Sequence, residues 1–442
     1  MSAPFTFIAS SLGAAIVLSA AVAAQQPRIA NGRVAVQPAG SPFAESFHTL
    51  VTSRAEVSWI GYSAPVVDGE GLMCCDGSGA TVISNGIALS NGSSRGACGL
   101  VPAARAGAPG SREPQAPADG GPIELEGPER MVVLYRVVER RIERVRVFSE
   151  GCALDAGGRP VQWLENVRAA DSIALLESLI VPAAPGTEGR GRIMDGAIAA
   201  IALHADPAAD TSLERLIAPG RPEAVRKKVT FWLGNARGRR GFDILRRVMR
   251  DDPSVDVRKS AVFGLSQSTV PEMFDVLAGI ARSDNEPRLR SEALFWIAQN
   301  GDSRAATIIM EVLEKDAVPE VRKKAVFALS QLKDDGGVPA LIHVARTSTD
   351  AGARGEAVFW LAQKAGRKAA DAITERIEQD PDTDVKKKAV FALSQLPKDE
   401  GVPLLISVAR TNSNPAVRKQ AMFWLGQSQD PRAVDFFAQI LR

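Results

Sequence analysis

An eleven-residue motif recurs along the chain at a fixed step of 32 residues, and it leaves few folds open. It begins as Val225-Arg226-Lys227-Lys228-Val229-Thr230-Phe231-Trp232-Leu233-Gly234-Asn235. It returns at Val257, Leu289, Val321, Ala353, Val385 and Val417. Periods of this length belong to solenoids, in which each unit buries its apolar face only against its neighbours. A weaker copy starts at Ile193, with Ala197 and Ile201 in phase, so eight units are expected. Ser172 to Ile180 is a candidate for the helix that closes the stack. The motif reads as one helix of each unit. The run after it, such as Gly337 to Arg346 with Pro339 near its start, reads as the other. Asp252, Asp284, Asp316 and Asp380, with Ser348 and Asn412 in phase, read as N-caps of the motif helices.

The rest of the chain has a different texture. Met1 to Ala24 is apolar and almost uncharged and ends in the small-x-small pattern Ala21-Val22-Ala23. It reads as a secretory signal peptide, which implies export to the periplasm or medium. Its n-region lacks Lys or Arg. No later stretch is apolar and long enough to span a bilayer. Residues 25–45 read as a polar lead-in, and 46–168 as a small β-rich domain. Within it, Asn85-Gly86 between short apolar runs signals a hairpin. Met131 to Val137 and Ile142 to Phe148, flanking Glu139-Arg140-Arg141, signal a second. Residues 103–127, dense in Pro, Gly and Ala, read as a surface loop. Cys74, Cys75, Cys98 and Cys152 are an even number in a chain expected outside the cytoplasm, so two disulfides are expected. The adjacent Cys74 and Cys75 are expected to pair with Cys98 and Cys152, in either order. The fold class is thus mostly α: a solenoid over 169–442 behind a β-rich, disulfide-containing domain.

The repeats resemble the HEAT family, specifically the short HEAT-like repeats also found in phycobilisome bilin lyases. The residues that carry the resemblance are Asp252-Pro253 and Asp380-Pro381, Val257-Arg258 and Val321-Arg322, and the Ala and Leu that follow at helical spacing. It covers roughly residues 190–442. It implies that the motif helix is the second of each unit and lines the concave side. It also implies that the basic second position (Arg226, Arg258, Arg290, Arg322, Arg354, Lys386, Arg418) joins a structural ladder with the Asp residues of neighbouring units. The family has no single function.

On a helical wheel the first, fifth, eighth and ninth positions form one apolar stripe, the core. The seventh is always Phe: Phe231, Phe263, Phe295, Phe327, Phe359, Phe391 and Phe423. The eleventh is always an amide: Asn235, Gln267, Gln299, Gln331, Gln363, Gln395 and Gln427. The two positions share a face, one turn apart. Lys227, Lys259, Lys323, Lys387 and Lys419 lie beside them at the third position. Two readings stay open. Phe fills seams between units while the amide ties down a loop, or the column is a groove for an extended chain, its amides pairing with peptide N–H and C=O groups. Armadillo repeats are similar in carrying an aromatic residue four before an Asn. Trp232, Trp296, Trp360 and Trp424 recur every 64 residues, against Gly264, Ala328 and Ala392 between them. That alternation reads as large–small packing and implies duplication of a pair of units; a tryptophan ligand cage is the rival.

Composition bounds the function. With 45% apolar and 24% charged residues the chain is globular rather than disordered. Its 53 basic and 51 acidic side chains leave a net charge of +2, so nothing in the overall balance draws it to nucleic acid. Histidine is scarce. None of His48, His204 and His343 is followed by Glu, so the iron site of deoxyhypusine hydroxylase-like HEAT enzymes is not expected. No P-loop or HExxH motif is present. The expectation is a non-enzymatic scaffold of the cell envelope without cofactor or metal. It is expected to bind a protein or extended peptide on the concave face, with no nucleic acid and no membrane span once the leader is cut. The alternatives are an anionic glycan or lipid head group on the clusters Arg226-Lys227-Lys228, Arg322-Lys323-Lys324 and Lys386-Lys387-Lys388, or lyase-type chemistry of the bilin-lyase group.

Overall fold

The computed structural model describes residues 29–68, 75–76, 79–80, 83–84, 87–88, 98–100, 130–180, 188–333 and 336–441. The expected leader (1–24), the expected surface loop (103–127) and Cys74 lie outside them. The amino-terminal part supplies strands β1 (Ile29–Ala30), β2 (Arg33–Pro38) and β3 (Ser58–Pro65), with helix α1 (Phe43–Ser53) between the last two. Four two-residue strands follow: β4 (Cys75–Asp76), β5 (Gly79–Ala80), β6 (Ile83–Ser84) and β7 (Ile87–Ala88). Then come β8 (Cys98–Gly99), β9 (Arg130–Val138), β10 (Arg141–Ser149), β11 (Leu154–Asp155) and β12 (Pro160–Glu165), and helix α2 (Ala169–Ser178).

Both hairpins form. β6 pairs antiparallel with β7, Asn85 and Gly86 between them lying outside the described residues, and β9 pairs with β10 around Glu139-Arg140. The main sheet has five strands in the order β10-β9-β3-β12-β2. β2 and β12 run parallel, as do β12 and β3; the β3-β9-β10 side is antiparallel. Residues 33–38 were expected in the polar lead-in and instead form the edge strand β2. Its valines, Val34 and Val36, share one face but stay exposed, so β2 adds no core face to the sheet on that side.

The sheet is buried on both sides because its strands alternate. Met131, Val133, Tyr135 and Val137 of β9 join the large core shared with the helices. Val132 and Leu134 point the other way, into a second cluster with Trp59, Phe148, Val161 and Trp163. Cys152 belongs to that second cluster and is disulfide-bonded. The side chains of the other three cysteines are outside the described set.

The repeat region alternates two series of helices. The motif helices are α3 (Glu188–Leu203), α5 (Glu223–Ala236), α7 (Val255–Ser266), α9 (Pro287–Asn300), α11 (Pro319–Ser330), α13 (Ala351–Ala365), α15 (Thr383–Ser394) and α17 (Pro415–Gln427). Between and after them run α4 (Ala208–Leu216), α6 (Gly238–Asp251), α8 (Met273–Ser283), α10 (Ala305–Lys315), α12 (Gly337–Thr347), α14 (Ala370–Gln379), α16 (Lys398–Thr411) and α18 (Pro431–Ile440). Successive motif helices pack on one another far more closely than successive helices of the second series. The motif helices therefore form the shorter, inner side of a curved stack. Gly234 and Gly264 allow the tightest step, since a Cβ on either would collide with backbone of the neighbouring motif helix.

The sheet sits on the first repeat. α3 lies across β10, and Gly196 meets the Val145 backbone so closely that no side chain fits there. β3 runs on into a bridge between Val66 and His204, and Val67 N–H donates to Leu203 O at 2.9 Å. The sheet with α2 thus covers the amino-terminal end of the solenoid, where an exposed repeat would otherwise leave apolar surface in water.

The Asp residues correct one expectation. Asp252, Asp284, Asp316, Ser348, Asp380 and Asn412 are not N-caps; they follow the last turn of the preceding helix. The N-cap positions lie two residues later, at Ser254, Glu286, Val318, Asp350, Asp382 and Asn414. Asp252, Asp284, Asp316 and Asp380 each accept the N–H of that later residue. Their second oxygen is left for a partner in the preceding unit.

Candidate functional site

That partner is the basic second position of the motif helix. Arg290 meets Asp316 in a fork, Nε to Oδ2 at 2.6 Å and Nη2 to Oδ1 at 2.9 Å. Arg354 meets Asp380 likewise at 2.8 and 2.9 Å. Arg258 reaches Asp284, Arg226 reaches Asp252, and Arg322 reaches Asp350 rather than the in-phase Ser348. Arg290, Arg322 and Arg354 also donate to carbonyls of the loop before their own helix. Where the acid becomes Asn412, the arginine becomes Lys386, which instead donates to Glu378 O at 2.8 Å. Arg418 donates to Asn412 O. The ladder is a bracket between units and is mostly inaccessible to a ligand.

The seventh position builds the inner surface. The rings of Trp232, Phe231, Phe263, Trp296, Phe295, Phe327, Trp360, Phe359, Phe391, Trp424 and Phe423 follow one another without a gap. Neighbouring centroids lie 4.7–6.3 Å apart. Phe295 stacks on Phe327 and Phe359 on Phe391, at 5° and 6° between planes. Each Trp meets the Phe beside it edge-to-face, and Trp296, Trp360 and Trp424 also tilt against the Phe of the unit before, Trp296 on Phe263 at 4.7 Å. The rings are half-buried, and Phe423 is 53% exposed. The tryptophans, at the eighth position, belong to the expected core stripe. They stand instead at its margin, half-buried, while Gly264, Ala328 and Ala392 are buried. The large–small alternation is real packing: a Trp on every second helix spans the gap to the Phe of the smaller unit before it.

The amides divide into two sets. Gln267, Gln331 and Gln395 donate to the neighbouring Ser266, Ser330 and Ser394 at 3.0–3.1 Å. Each Ser donates in turn to the carbonyl of the column Phe, Phe263, Phe327 or Phe391. Asn235 donates to Phe231 O at 2.8 Å. Gln299, Gln363 and Gln427, on Trp-bearing helices with Ala or Gly before the amide, have no hydrogen-bond partner among the described residues. Ser266, Ser330 and Ser394 recur at 64 residues, a signal overlooked beside the louder tryptophans.

The lysine edge is largely spent on carboxylates. Lys259 pairs with Glu292 at 3.1 Å, and Glu292 also accepts from Trp296 Nε1 at 3.0 Å. Lys323 and Lys388 converge on Glu356, each at 3.7 Å. Lys227 meets Glu223 at 3.7 Å, Lys228 meets Asp195 at 2.7 Å and Lys387 meets Asp384 at 3.1 Å. Lys419 is exposed and has no carboxylate partner among the described residues.

The histidines go elsewhere. His204 is fully buried where the sheet meets the solenoid, and its Nε2 lies 2.8 Å from Ser172 Oγ. Ser172 in turn meets the Tyr62 hydroxyl at 2.6 Å, which meets that of Tyr135 at 2.8 Å. Burial pushes Tyr62 up to about 12 and Tyr135 well above its ordinary value. Burial likewise drives His204 down to about 4, with Asp206 opposing and Arg237 adding to the effect. Among the described residues no group of three or more His, Cys, Asp or Glu is placed to hold a metal ion.

A family model for HEAT repeats matches residues 209–295, 276–362 and 370–442, just over half of the chain. The chain belongs to the HEAT-repeat family. Solved structures with a related fold include human deoxyhypusine hydroxylase, at 18% identity over 59% of this chain and 96% of that one, with a TM-score of 0.25. The Escherichia coli protein YibA matches at 20% identity over 59% of this chain and 92% of that one, with a TM-score of 0.33. Kap95p, whose binding to RanGDP that structure concerns, matches at 14% identity over 60% of this chain and 44% of that one, with a TM-score of 0.35. Likeness at this level carries nothing about what the HEAT repeats hold. No curated protein matches the chain.

Proposed function

We propose that this HEAT protein is a non-enzymatic scaffold, exported from the cytoplasm, that holds an extended segment of another protein along its inner face. The observation that carries the reading is the unbroken half-buried aromatic column beside Gln299, Gln363 and Gln427, whose amides have no hydrogen-bond partner among the described residues. An extended backbone brings alternating N–H and C=O groups, and a side-chain amide satisfies both. Ring surface takes the apolar side chains between.

Spacing sets a register. Units stack at about 10 Å, so Gln299 and Gln363, two units apart, are separated by roughly 20 Å. A strand rises about 3.3 Å per residue, so that interval holds about six residues. An even number returns the strand to the same face, and all three amides meet the same edge of one segment of about twelve residues. The anionic-polymer alternative is weaker because the lysine edge is largely neutralised by Glu292 and Glu356.

The test is selection of displayed twelve-residue peptides on the full chain, followed by binding to a variant with Gln299, Gln363 and Gln427 changed to Ala. These side chains are at the surface or half-buried, so the variant is expected to melt with the wild type. Selected peptides should bind the variant at least tenfold more weakly. Equal binding to both proteins, or failure to enrich any peptide, would sink the reading. Export is tested separately, by fusing residues 1–24 to a reporter that is active only outside the cytoplasm.

A further inference from the structure

At the seam between the sheet and the solenoid lies a second site, unrelated to the inner face. α1, the β9–β10 turn, α2 and α3 enclose a cleft of about 530 Å³. That size falls in the range of about 300–1,000 Å³ typical of small-molecule sites, which favour such junctions. Its walls are mainly apolar: Phe47 and Val51 from α1, Leu175 and Leu179 from the α2 region, and Ile193 from α3. Leu179 and Ile193 are only partly covered, so apolar surface faces solvent there.

The rim is cationic. Arg140, Arg141 and His48 line the mouth, and no acidic side chain is among the described lining residues. Both arginines are exposed, and among the described residues neither side chain has an ion-pair or hydrogen-bond partner. Elsewhere in this chain most arginines have a carboxylate or carbonyl partner. The turn that presents them is strained. Glu139 and Arg140 have φ of 48° and 62°, left-handed values that such turns usually assign to Asn and Gly. The turn is pinned over the end of α1 by the Arg140 N–H, which donates to Arg54 O at 3.1 Å.

We propose that this cleft binds a single-chain amphipathic carboxylate of the medium-chain fatty acid class. The acyl chain lies against Phe47, Leu175, Leu179 and Ile193. The carboxylate sits between Arg140 and Arg141, whose planar guanidinium groups suit two-point contact with carboxylate oxygens. Charge complementarity decides the class: an uncharged apolar ligand leaves the cations idle, and a bare anion leaves the apolar walls wet.

The experiment is calorimetry of the full chain with decanoate below its micelle concentration, beside 1-decanol and inorganic phosphate. Decanoate should bind at least tenfold more tightly than either. A variant with Arg140→Asn and Arg141→Gln should lose tenfold or more for decanoate; Asn suits the left-handed turn, and both sites are exposed, so its melting should not move. Ala44→Trp, at an exposed lining position of α1, should fill the cleft and abolish binding. Absence of decanoate binding, or equal binding by decanol, phosphate or the double variant, overturns the proposal. So does binding to vesicles of phosphatidylglycerol that needs Arg140 and Arg141 while decanoate is ignored, for that assigns the cations to a membrane surface.

Discussion

At the scale of single residues, the ladder and the column behave differently because one is dry and the other half-wet. Asp380 and Arg354 are 1% and 7% exposed. Burial pushes the Asp380 carboxyl up, but the Arg354 fork and the Asp382 N–H outweigh it and hold the group below its usual range. Asp380→Ala strands a buried guanidinium and should cost about 3–5 kcal/mol in urea unfolding. Phe327 touches Phe295 and Trp360 but keeps a solvent side. Phe327→Ala should therefore cost about 2 kcal/mol, less than the roughly 3–5 kcal/mol of a fully buried ring. A measured loss above 4 kcal/mol would make the column a core element rather than a surface. His204 gives a pH prediction with a definite sign. Its folded value of about 4 lies below the unfolded 6.5, so the unfolded chain takes up the proton first. The neutral imidazole's contribution is complete above pH 6.5 and is lost as pH falls towards 4. Between pH 7 and pH 4.5 the wild type should lose roughly 2–3 kcal/mol more than a His204→Gln variant, read by denaturant melts at both pH values.

At the scale of elements, much was legible because repetition multiplies weak signals. One helix with Val, Ala and Leu in phase is ambiguous; seven at a fixed step are not. The β9–β10 hairpin was also legible, from two β-rich runs flanking the polar Glu139-Arg140-Arg141. The caps were not. Asp followed two residues later by Ser, Glu or Asp offers two acceptors, and the sequence alone does not say which opens the helix. The packed loop decides it, since the first acid must also meet the arginine of the preceding unit. Nor was the division of the amides legible until the serines beside three of them were seen bonding to them. Removing that tether makes an element-scale test. In a Ser330→Ala variant, Gln331 is freed as Gln363 is, and peptides selected on the inner face should bind equally well or better. Weaker binding would mean that the serine-bound amides are the working ones.

At the scale of the whole molecule, the sheet and the repeats share one core. Ile60, Tyr62 and Tyr135 lie in the same apolar cluster as the repeat residues. The contact turns on Gly196 against Val145. Gly196→Val should force α3 off β10 and split the calorimetric melt of the amino-terminal half into two transitions, where the wild type shows one. A single transition unshifted from that of the wild type would show that the Gly196 contact is not what couples the two parts.

What the sequence by itself determined is the class of fold and the columns on it. A fixed step places equivalent side chains on equivalent faces, and local periodicity is enough to say which face is apolar. What only the tertiary structure decided is which members of each column are engaged. Glu292 and Glu356 neutralise lysines from neighbouring units, serines hold three amides and leave three others free, and tryptophans bridge the rings. The closure of the stack by the sheet, and the cleft at that seam, were likewise hidden. These contacts join residues on different helices or distant segments, and their distances depend on how closely the backbones approach, which no single stretch of sequence encodes.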